Sequence, residues 1–179
     1  MDLKGSKTEQ NLWAAFAGES QARNKYSFFA SQADKEGFKQ IAAIFLETAD
    51  NEKEHAKRLF KFLMGGAVPA TAENLLASAE GENEEHTSMY PEFEKIAREE
   101  GFNEIADVFK EIAEVEEEHE KRFRKLLENV KNNTVFKKDK SVKWRCRNCG
   151  YVHEGTEAPD ECPACAHPQS YYEVMAENY

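Results

Sequence analysis

The sequence predicts a mainly α-helical protein, a four-helix bundle followed by a small module that binds a metal through four cysteines. Residues from about 8 to 131 contain long stretches of Ala, Glu, Lys, Leu and Phe and almost no proline. Residues 36–58 align with residues 100–122, so a helical hairpin is repeated. All four cysteines follow the helical region, between residues 146 and 165.

Composition limits the classes of function. The chain has 179 residues and a formal net charge of −10, which argues against a nucleic-acid binder because phosphate contacts need a basic surface. The N-terminal segment has no apolar core of a signal peptide, and no stretch approaches the ~18 apolar residues of a membrane span. We therefore expect a cytoplasmic protein that does not engage a membrane. In a reducing compartment, clustered cysteines are typical metal ligands.

The helical region reads as four helices that end at glycine or proline. We expect Gly37 to cap the first helix, Thr71 to begin the third as its N-cap, and Pro91 to kink the third helix. The predicted helices run from near Thr8 to Lys35, Phe38 to Met64, Ala72 to Glu100 and Phe102 to about Lys131. The predicted domains are a bundle over 1–135, a linker over 136–141 and a metal domain over 142–179.

The helical seams contain acids and histidines where apolar residues belong. Stepping by four and three along the second helix passes through Glu52 and His55. The fourth helix repeats the pair as Glu116 and His119. An E-x-x-H pair turns about 300° around the helix, so both side chains converge on one point.

The other two helices also carry inward acids, Glu19 on the first and Glu82 and Glu85 on the third. A carboxylate taken out of water costs several kcal/mol. Five of them would exceed the ~5–15 kcal/mol by which a domain is stable. Two divalent cations remove this cost, as in the di-iron and di-manganese carboxylate bundles. The alternative is a polar bundle without metal.

Some polar residues near the seams have simpler interpretations. His86 neighbours the acids of the third helix, and those acids already occupy its face. Tyr26 and Tyr90 are either core residues or hydrogen-bond donors that orient a ligand. The acids off the seam are expected to be solvated: Glu54, Glu117, Glu118 and Glu120.

The cysteines form two C-x-x-C pairs, Cys146 with Cys149 and Cys162 with Cys165, separated by twelve residues. Two such knuckles make a tetrahedral site of four thiolates. Zinc and iron both accept this geometry. With zinc, the module would stabilise the structure or serve as a docking site. With iron, it would transfer electrons one at a time.

Taken together, the motifs resemble the rubrerythrin family from end to end. The matching stretches are "FAGESQARNKY", "NEKEHAKRLFKFL", "EGENEEHTSMYPEF", "EVEEEHEKRF" and "WRCRNCGYVHEGTEAPDECPACAHP". The resemblance implies a ferritin-like four-helix bundle with a di-iron site, joined to a C-terminal rubredoxin-like domain that holds one iron on four cysteines.

The resemblance also implies roles for the acids and histidines. Glu52 and Glu116 would bridge the two irons. Glu19 and Glu85 would bind one iron, and Glu82 and His119 the other. His55 and Glu85 would exchange as ligands when the redox state changes.

The implied activity is reduction of hydrogen peroxide to water, in defence against oxidative stress. Catalysis would involve Glu52, Glu116, Glu85, His55, Tyr26 and Tyr90. Electrons would come from NAD(P)H through a reductase, with or without rubredoxin, and the protein would be a homodimer or larger homo-oligomer. The alternatives are a ferroxidase or iron-handling protein and a non-enzymatic bundle with a zinc ribbon.

Overall fold

A computed structural model describes residues 2–178, and it confirms the mainly helical fold class with a small C-terminal region of strands. The chain divides into two compact units at Pro69 and Ala70. The helices are α1 (Lys7–Lys35), α2 (Lys39–Leu63), α3 (Thr71–Glu84), a π-helical turn (Glu85–Met89), α4 (Tyr90–Glu99) and α5 (Asn103–Lys131). The strands are β1 (Lys137–Cys146), β2 (Val152–Glu157) and β3 (Tyr172–Val174).

The first unit is a helical hairpin made of α1 and α2 (the first hairpin). α1 begins where the Ser6 hydroxyl accepts a hydrogen bond from the backbone N–H of Glu9, 3.0 Å away. The hairpin closes at Gly37, whose φ is +88°, while the backbone N–H of Phe38 donates to the Ala33 carbonyl at 2.9 Å. Only glycine adopts this conformation without steric cost. The expected C-cap at Gly37 is therefore present.

The second unit begins with a hairpin of the same kind, made of α3, the π-helical turn, α4 and α5 (the second hairpin). It closes at Gly101, which has a φ of +87°, with the backbone N–H of Phe102 donating to Ala97 at 2.8 Å. The same aromatic contact also recurs. The ring centroids of Tyr26 and Phe45 are 6.1 Å apart in the first hairpin, and those of Tyr90 and Phe109 are 6.0 Å apart in the second. The sequence repeat is therefore a structural repeat.

The π-helical turn accounts for a change of phase within that repeat. Glu19 and Tyr26 lie seven residues apart in α1, whereas Glu82 and Tyr90 lie eight residues apart in the second hairpin. The extra residue falls within the π-helical turn, where the backbone N–H of Tyr90 donates to the Glu85 carbonyl. A π turn holds one residue more than an α turn. The single continuous third helix expected from the sequence is thus interrupted just before Pro91.

Two other expectations differ from the structure. Thr71 is the first residue of α3 and not its N-cap, because Ala70 occupies that position and its backbone N–H donates to the Glu73 carboxylate at 3.0 Å. The predicted linker over 136–141 contains the start of β1 at Lys137.

The C-terminal region (the cysteine domain) has a three-stranded antiparallel sheet in the order β2-β1-β3. Its core contains Trp144, Ala158 and Tyr172 together with the sulfur-bearing Cys146 and Cys162. The Trp144 indole N–H donates to the Gly155 carbonyl at 3.0 Å. This region therefore has a compact core of its own.

The helical hairpins leave much of their apolar surface uncovered. The buried residues of α1 to α4 are alanines, while seam residues Ile41 and Ile105 are 47% and 49% exposed. Phe28 is 68% exposed. Two helices bury only one side of each seam, so each hairpin presents an apolar face for further packing. Within residues 2–178, no helix is both long and apolar enough to span a membrane.

Candidate metal centres

The first hairpin brings Glu19, Glu52 and His55 together (the first cluster). One potential ligand atom from each lies within 4.8 Å of the others. His55 Nδ1 is 2.8 Å from Glu52 Oε2 and 3.7 Å from Glu19 Oε1. Glu52 and His55 share a face of α2 because they are three residues apart, and Glu19 comes from the facing side of α1.

The second hairpin forms an equivalent group from Glu82, Glu116 and His119 (the second cluster), with ligand atoms again within 4.8 Å. His119 Nδ1 lies 2.5 Å from Glu116 Oε2 and 3.8 Å from Glu82 Oε1. The Glu116 side chain is 15% exposed and that of Glu82 is 21% exposed. Both clusters therefore combine two partly buried carboxylates with one imidazole, which is exposed in the first cluster and partly buried in the second.

Each cluster holds two carboxyl groups close enough to compete for protons. The hydrogen bond with Glu52, followed by burial and the Glu52 charge, raises the pKa of Glu19. Burial, followed by the charge of Glu116, raises the pKa of Glu82. Proximity of like charges and loss of solvent both disfavour the ionised form. A bound cation would relieve both effects, so the donor set fits a divalent metal.

Glu85 lies beside the second cluster without completing it, since it is absent from the three groups that share ligand distances. It is half-buried in the π-helical turn. Burial, and then the charges of Glu85, Glu116 and Glu82, raise the pKa of the Tyr90 phenol. Glu85 and Tyr90 thus belong to the surroundings of the cluster. The counterpart Tyr26 packs on Phe29 and Phe45.

Glu120 was expected to be solvated, and this expectation is wrong. Its side chain is 12% exposed, and its carboxylate contacts His86 at 2.6 Å and Asn83 at 3.1 Å. Arg124 Nε donates to its other oxygen at 2.5 Å. Hydrogen bonds from His86, Asn83 and Arg124 lower the pKa of Glu120 to about 2. In contrast, Glu118 is exposed as expected.

In the cysteine domain the four sulfurs form a separate group, with one Sγ atom from each cysteine within 4.8 Å of the others. The Sγ atoms of Cys146 and Cys165 are 3.8 Å apart, and those of Cys149 and Cys162 are 3.7 Å apart. Each knuckle turns at a residue with positive φ, Gly150 after the first pair and Ala166 after the second. Four thiols at these distances match a tetrahedral metal site.

Tyr172 lies near this site, although no motif in the sequence points to it. Its hydroxyl is buried and has no well-formed hydrogen bond among the described residues, yet it lies near the Cys162 sulfur. Burial opposes ionisation of the Cys162 thiol, but contributions from Tyr172 and backbone N–H groups outweigh it and lower the pKa of Cys162 to about 6. A phenol without another partner beside a sulfur suits a metal-bound thiolate, which accepts hydrogen bonds more strongly than a thiol.

The fold and the three groups of ligands define a class of protein. It is a helical carboxylate protein with a two-metal site, joined to a four-cysteine domain of the rubredoxin type.

Comparisons with known proteins identify the family within that class. The rubrerythrin family model matches residues 10–127, and the rubrerythrin rubredoxin-like domain matches residues 144–173. Rubrerythrin from Nitratidesulfovibrio vulgaris is 59% identical and covers 99% of this chain and 98% of its own. Rubrerythrin from Porphyromonas gingivalis is 56% identical, covering 99% and 94%. Nigerythrin from Nitratidesulfovibrio vulgaris is 32% identical, covering 92% of this chain and 85% of its own. The chain belongs to the rubrerythrin family.

Family membership resolves the metals that the residues alone left open. The cofactors are two irons in a carboxylate and histidine site and one iron on the four cysteines. The zinc alternative for the cysteine domain is thereby set aside.

Glu82→Gln tests the charge conflict in the second cluster. The raised pKa of Glu82 means that the folded, metal-free protein holds more protons than the unfolded chain just above pH 4.5, so its free energy of unfolding falls as the pH rises through that range. The variant should lose the part of this dependence that Glu82 contributes and keep the part that comes from Glu19. At pH 7 it should gain a few tenths of a kcal/mol to about 1 kcal/mol, the range for partly exposed charge pairs.

The measurement is urea unfolding of the metal-free protein between pH 4 and pH 8. Glu80→Gln, an exposed acid on the same helix, is the matched control and should leave the stability curve unchanged. A Glu82→Gln protein that is less stable than the wild type at pH 7 contradicts the interpretation.

Tyr172→Phe tests the phenol beside Cys162. The Fe(II) site with four thiolates carries one more negative charge than the Fe(III) site, so a hydrogen bond to sulfur favours the reduced form. Loss of a bond worth about 1 kcal/mol should lower the midpoint potential by about 40 mV. Spectroelectrochemical titration of the red absorption measures the shift. Tyr171→Phe, which alters the neighbouring exposed phenol, should leave the potential unchanged.

Proposed function

We propose that this protein is a non-haem di-iron peroxidase that reduces hydrogen peroxide to water. The single observation that carries the proposal is the pair of equivalent clusters, each with two carboxylates and one histidine, in one chain with a four-cysteine domain. The overall change is H₂O₂ + 2 H⁺ + 2 e⁻ → 2 H₂O. The three irons supply one-electron redox chemistry when they are bound.

The first and second clusters provide the ligands in this proposal. Glu52 and Glu116 would hold both irons, and His119 and Glu82 would hold one of them. Glu19 would hold the other, with His55 or Glu85 as its further ligand according to redox state. Support comes from the distances within each cluster and from the position of Glu85 beside the second.

The chain also offers a proton donor beside the proposed centre. Tyr90 keeps its phenol proton near the acids because burial and negative charge raise its pKa. We assign Tyr90, with Tyr26 in the equivalent place, to binding and orienting peroxide and delivering protons.

The cysteine domain would deliver electrons one at a time, because an iron held by four thiolates changes its charge by one electron. Two of the four cysteines, Cys146 and Cys162, lie in the buried core, whereas Cys149 is exposed. The donor in this proposal is an NAD(P)H-dependent reductase, directly or through rubredoxin. The alternative function is that of a ferroxidase, because a two-iron carboxylate site can also oxidise ferrous iron with O₂.

The decisive experiment is anaerobic stopped-flow mixing of the fully reduced protein with hydrogen peroxide, monitored at the absorption of the four-cysteine iron. Rapid return of the red oxidised form is expected, much faster than after mixing with air-saturated buffer. A protein that oxidises faster with O₂, or only when ferrous iron is added, is a ferroxidase and contradicts the proposal.

A ligand variant separates the two iron sites. His119→Ala should keep the red colour and slow oxidation by peroxide by at least about 100-fold, since even supporting residues around a metal contribute 10–100-fold. His153→Ala removes an imidazole on β2, outside both clusters, and should oxidise at the wild-type rate. Loss of the red colour in His119→Ala would show that the division into two sites is wrong.

Assembly completes the proposed centre. Each hairpin presents an apolar face, with Ile41 and Ile105 about half exposed, so we infer that hairpins pair into a four-helix bundle in a homodimer or larger homo-oligomer. Sedimentation should show no monomer at micromolar concentration. A tenfold dilution should lower the unfolding temperature, because subunit association contributes to stability. A monomer whose unfolding temperature is independent of concentration contradicts this assembly.

A further inference from the structure

A polar cluster outside the proposed ligands joins the π-helical turn to α5. It consists of Asn83 at the end of α3, His86 in the π-helical turn, and Glu120 and Arg124 on α5 (the brace). The Glu120 carboxylate is its centre, 2.6 Å from His86 Nε2, 3.1 Å from Asn83 Nδ2 and 2.5 Å from Arg124 Nε. The side chains of His86 and Glu120 are 16% and 12% exposed. The pair of Glu120 and His86 is therefore largely enclosed, while the side chain of Arg124 is 48% exposed.

The brace lies where the helix departs from α-helical geometry. The π-helical turn runs from Glu85 to Met89, so it begins between Asn83 and His86 and ends just before Tyr90. Inside it, the Thr87 hydroxyl donates to the Asn83 carbonyl at 2.6 Å. A π turn interrupts the regular i→i−4 backbone hydrogen bonds of an α-helix. Side-chain partners on a neighbouring helix can therefore hold such a turn in one conformation. Asn83 and His86 obtain such partners from α5.

The first hairpin is an internal comparison because it has the same fold without a π-helical turn. In the repeat, Asn83 and His86 correspond to Ser20 and Arg23, while Glu120 and Arg124 correspond to Ala56 and Phe60. Ala56 is buried, and Phe60 packs on Phe16 with ring centroids 5.5 Å apart. The first hairpin thus has an apolar contact where the second has the brace.

The same comparison applies to Glu85. Its counterpart in the first hairpin is Ala22, so the additional carboxylate, the π-helical turn and the brace all occur in the second hairpin alone. Glu85 directly precedes His86, and Glu120 directly follows His119. A shift of the brace would therefore move both neighbours.

We propose that the brace fixes the π-helical turn against α5 and thereby positions Glu85 beside the second cluster. The inference rests on the proposed assignment of Glu85 as an iron ligand. Asn83, His86, Glu120 and Arg124 are positioning residues, and none of them belongs to the groups whose atoms share ligand distances.

The test compares Glu120→Gln with Glu118→Gln in the full-length protein. Both substitutions remove one negative charge next to His119, but Glu118 is exposed and pairs with Lys121 at the surface. The two-metal site is emptied by mild chelation that retains the red iron, and cobalt(II) is then titrated in. The readouts are the affinity of each ion, measured by chelator competition, and the visible ligand-field band of the bound cobalt.

The wild type and Glu118→Gln should bind two ions with the same affinities. Glu120→Gln should weaken one ion by about 10–100-fold, shift its ligand-field band and leave the other ion unchanged, because outer partners of ligands contribute on that scale. Equal affinities and spectra in the two variants would overturn the proposal. So would equal weakening of both ions, which general destabilisation would produce.

A second pair of variants keeps the test valid if Glu120→Gln folds poorly. His86→Gln retains an N–H donor for Glu120 and should keep the wild-type cobalt spectrum. His86→Leu removes the donor and should reproduce the effect of Glu120→Gln. Identical spectra for the two His86 variants overturn the brace. A wild-type protein that binds fewer than two cobalt ions would instead refute the proposed metal centre, and with it the role given to the brace.

Discussion

The repulsion between paired carboxylates inside each hairpin is the constraint on which the rest of the structure depends. Glu52 and partial burial make Glu19 harder to ionise. Partial burial and Glu116 do the same to Glu82. Leucines at these positions would pack more favourably, because burying acids without a cation opposes folding. The helices carry the acids at the cost of stability, and bound iron offsets that cost.

The repeat shows how one scaffold supports two unequal metal environments. Both hairpins share the closing glycine turn, the Tyr–Phe contacts and the cluster of two acids and a histidine. The second hairpin adds one residue, and the extra length is absorbed as a π-helical turn that carries Glu85. Insertion within a helix thus supplies a further carboxylate without disturbing the contacts on either side of it.

Regular periodicity made the clusters predictable from the sequence, and departures from it explain what was missed. Glu52 and His55 share a helical face by spacing alone, and so do Glu116 and His119. Glu120 was misjudged because its partners lie 34 and 37 residues away on another element. The sequence does indicate an irregularity in this region, because the repeat offset changes from 63 at Glu82 to 64 at Tyr90. That change corresponds to the extra residue of the π-helical turn, which contains His86. The Tyr172 contact depends on strand pairing, which brings it opposite Cys146.

The cysteine domain and the hairpins have separate sources of stability, and this separation has a functional consequence. Trp144, Cys146, Cys162 and Tyr172 form a core that includes no residue of the hairpins. Loss of iron from the acid clusters therefore does not require loss of iron from the sulfurs. In the proposed peroxidase, electron delivery would need both centres filled, so a defect in either one should stop turnover while only one removes the red colour. Colour and turnover together can thus locate a defect that neither measurement locates alone.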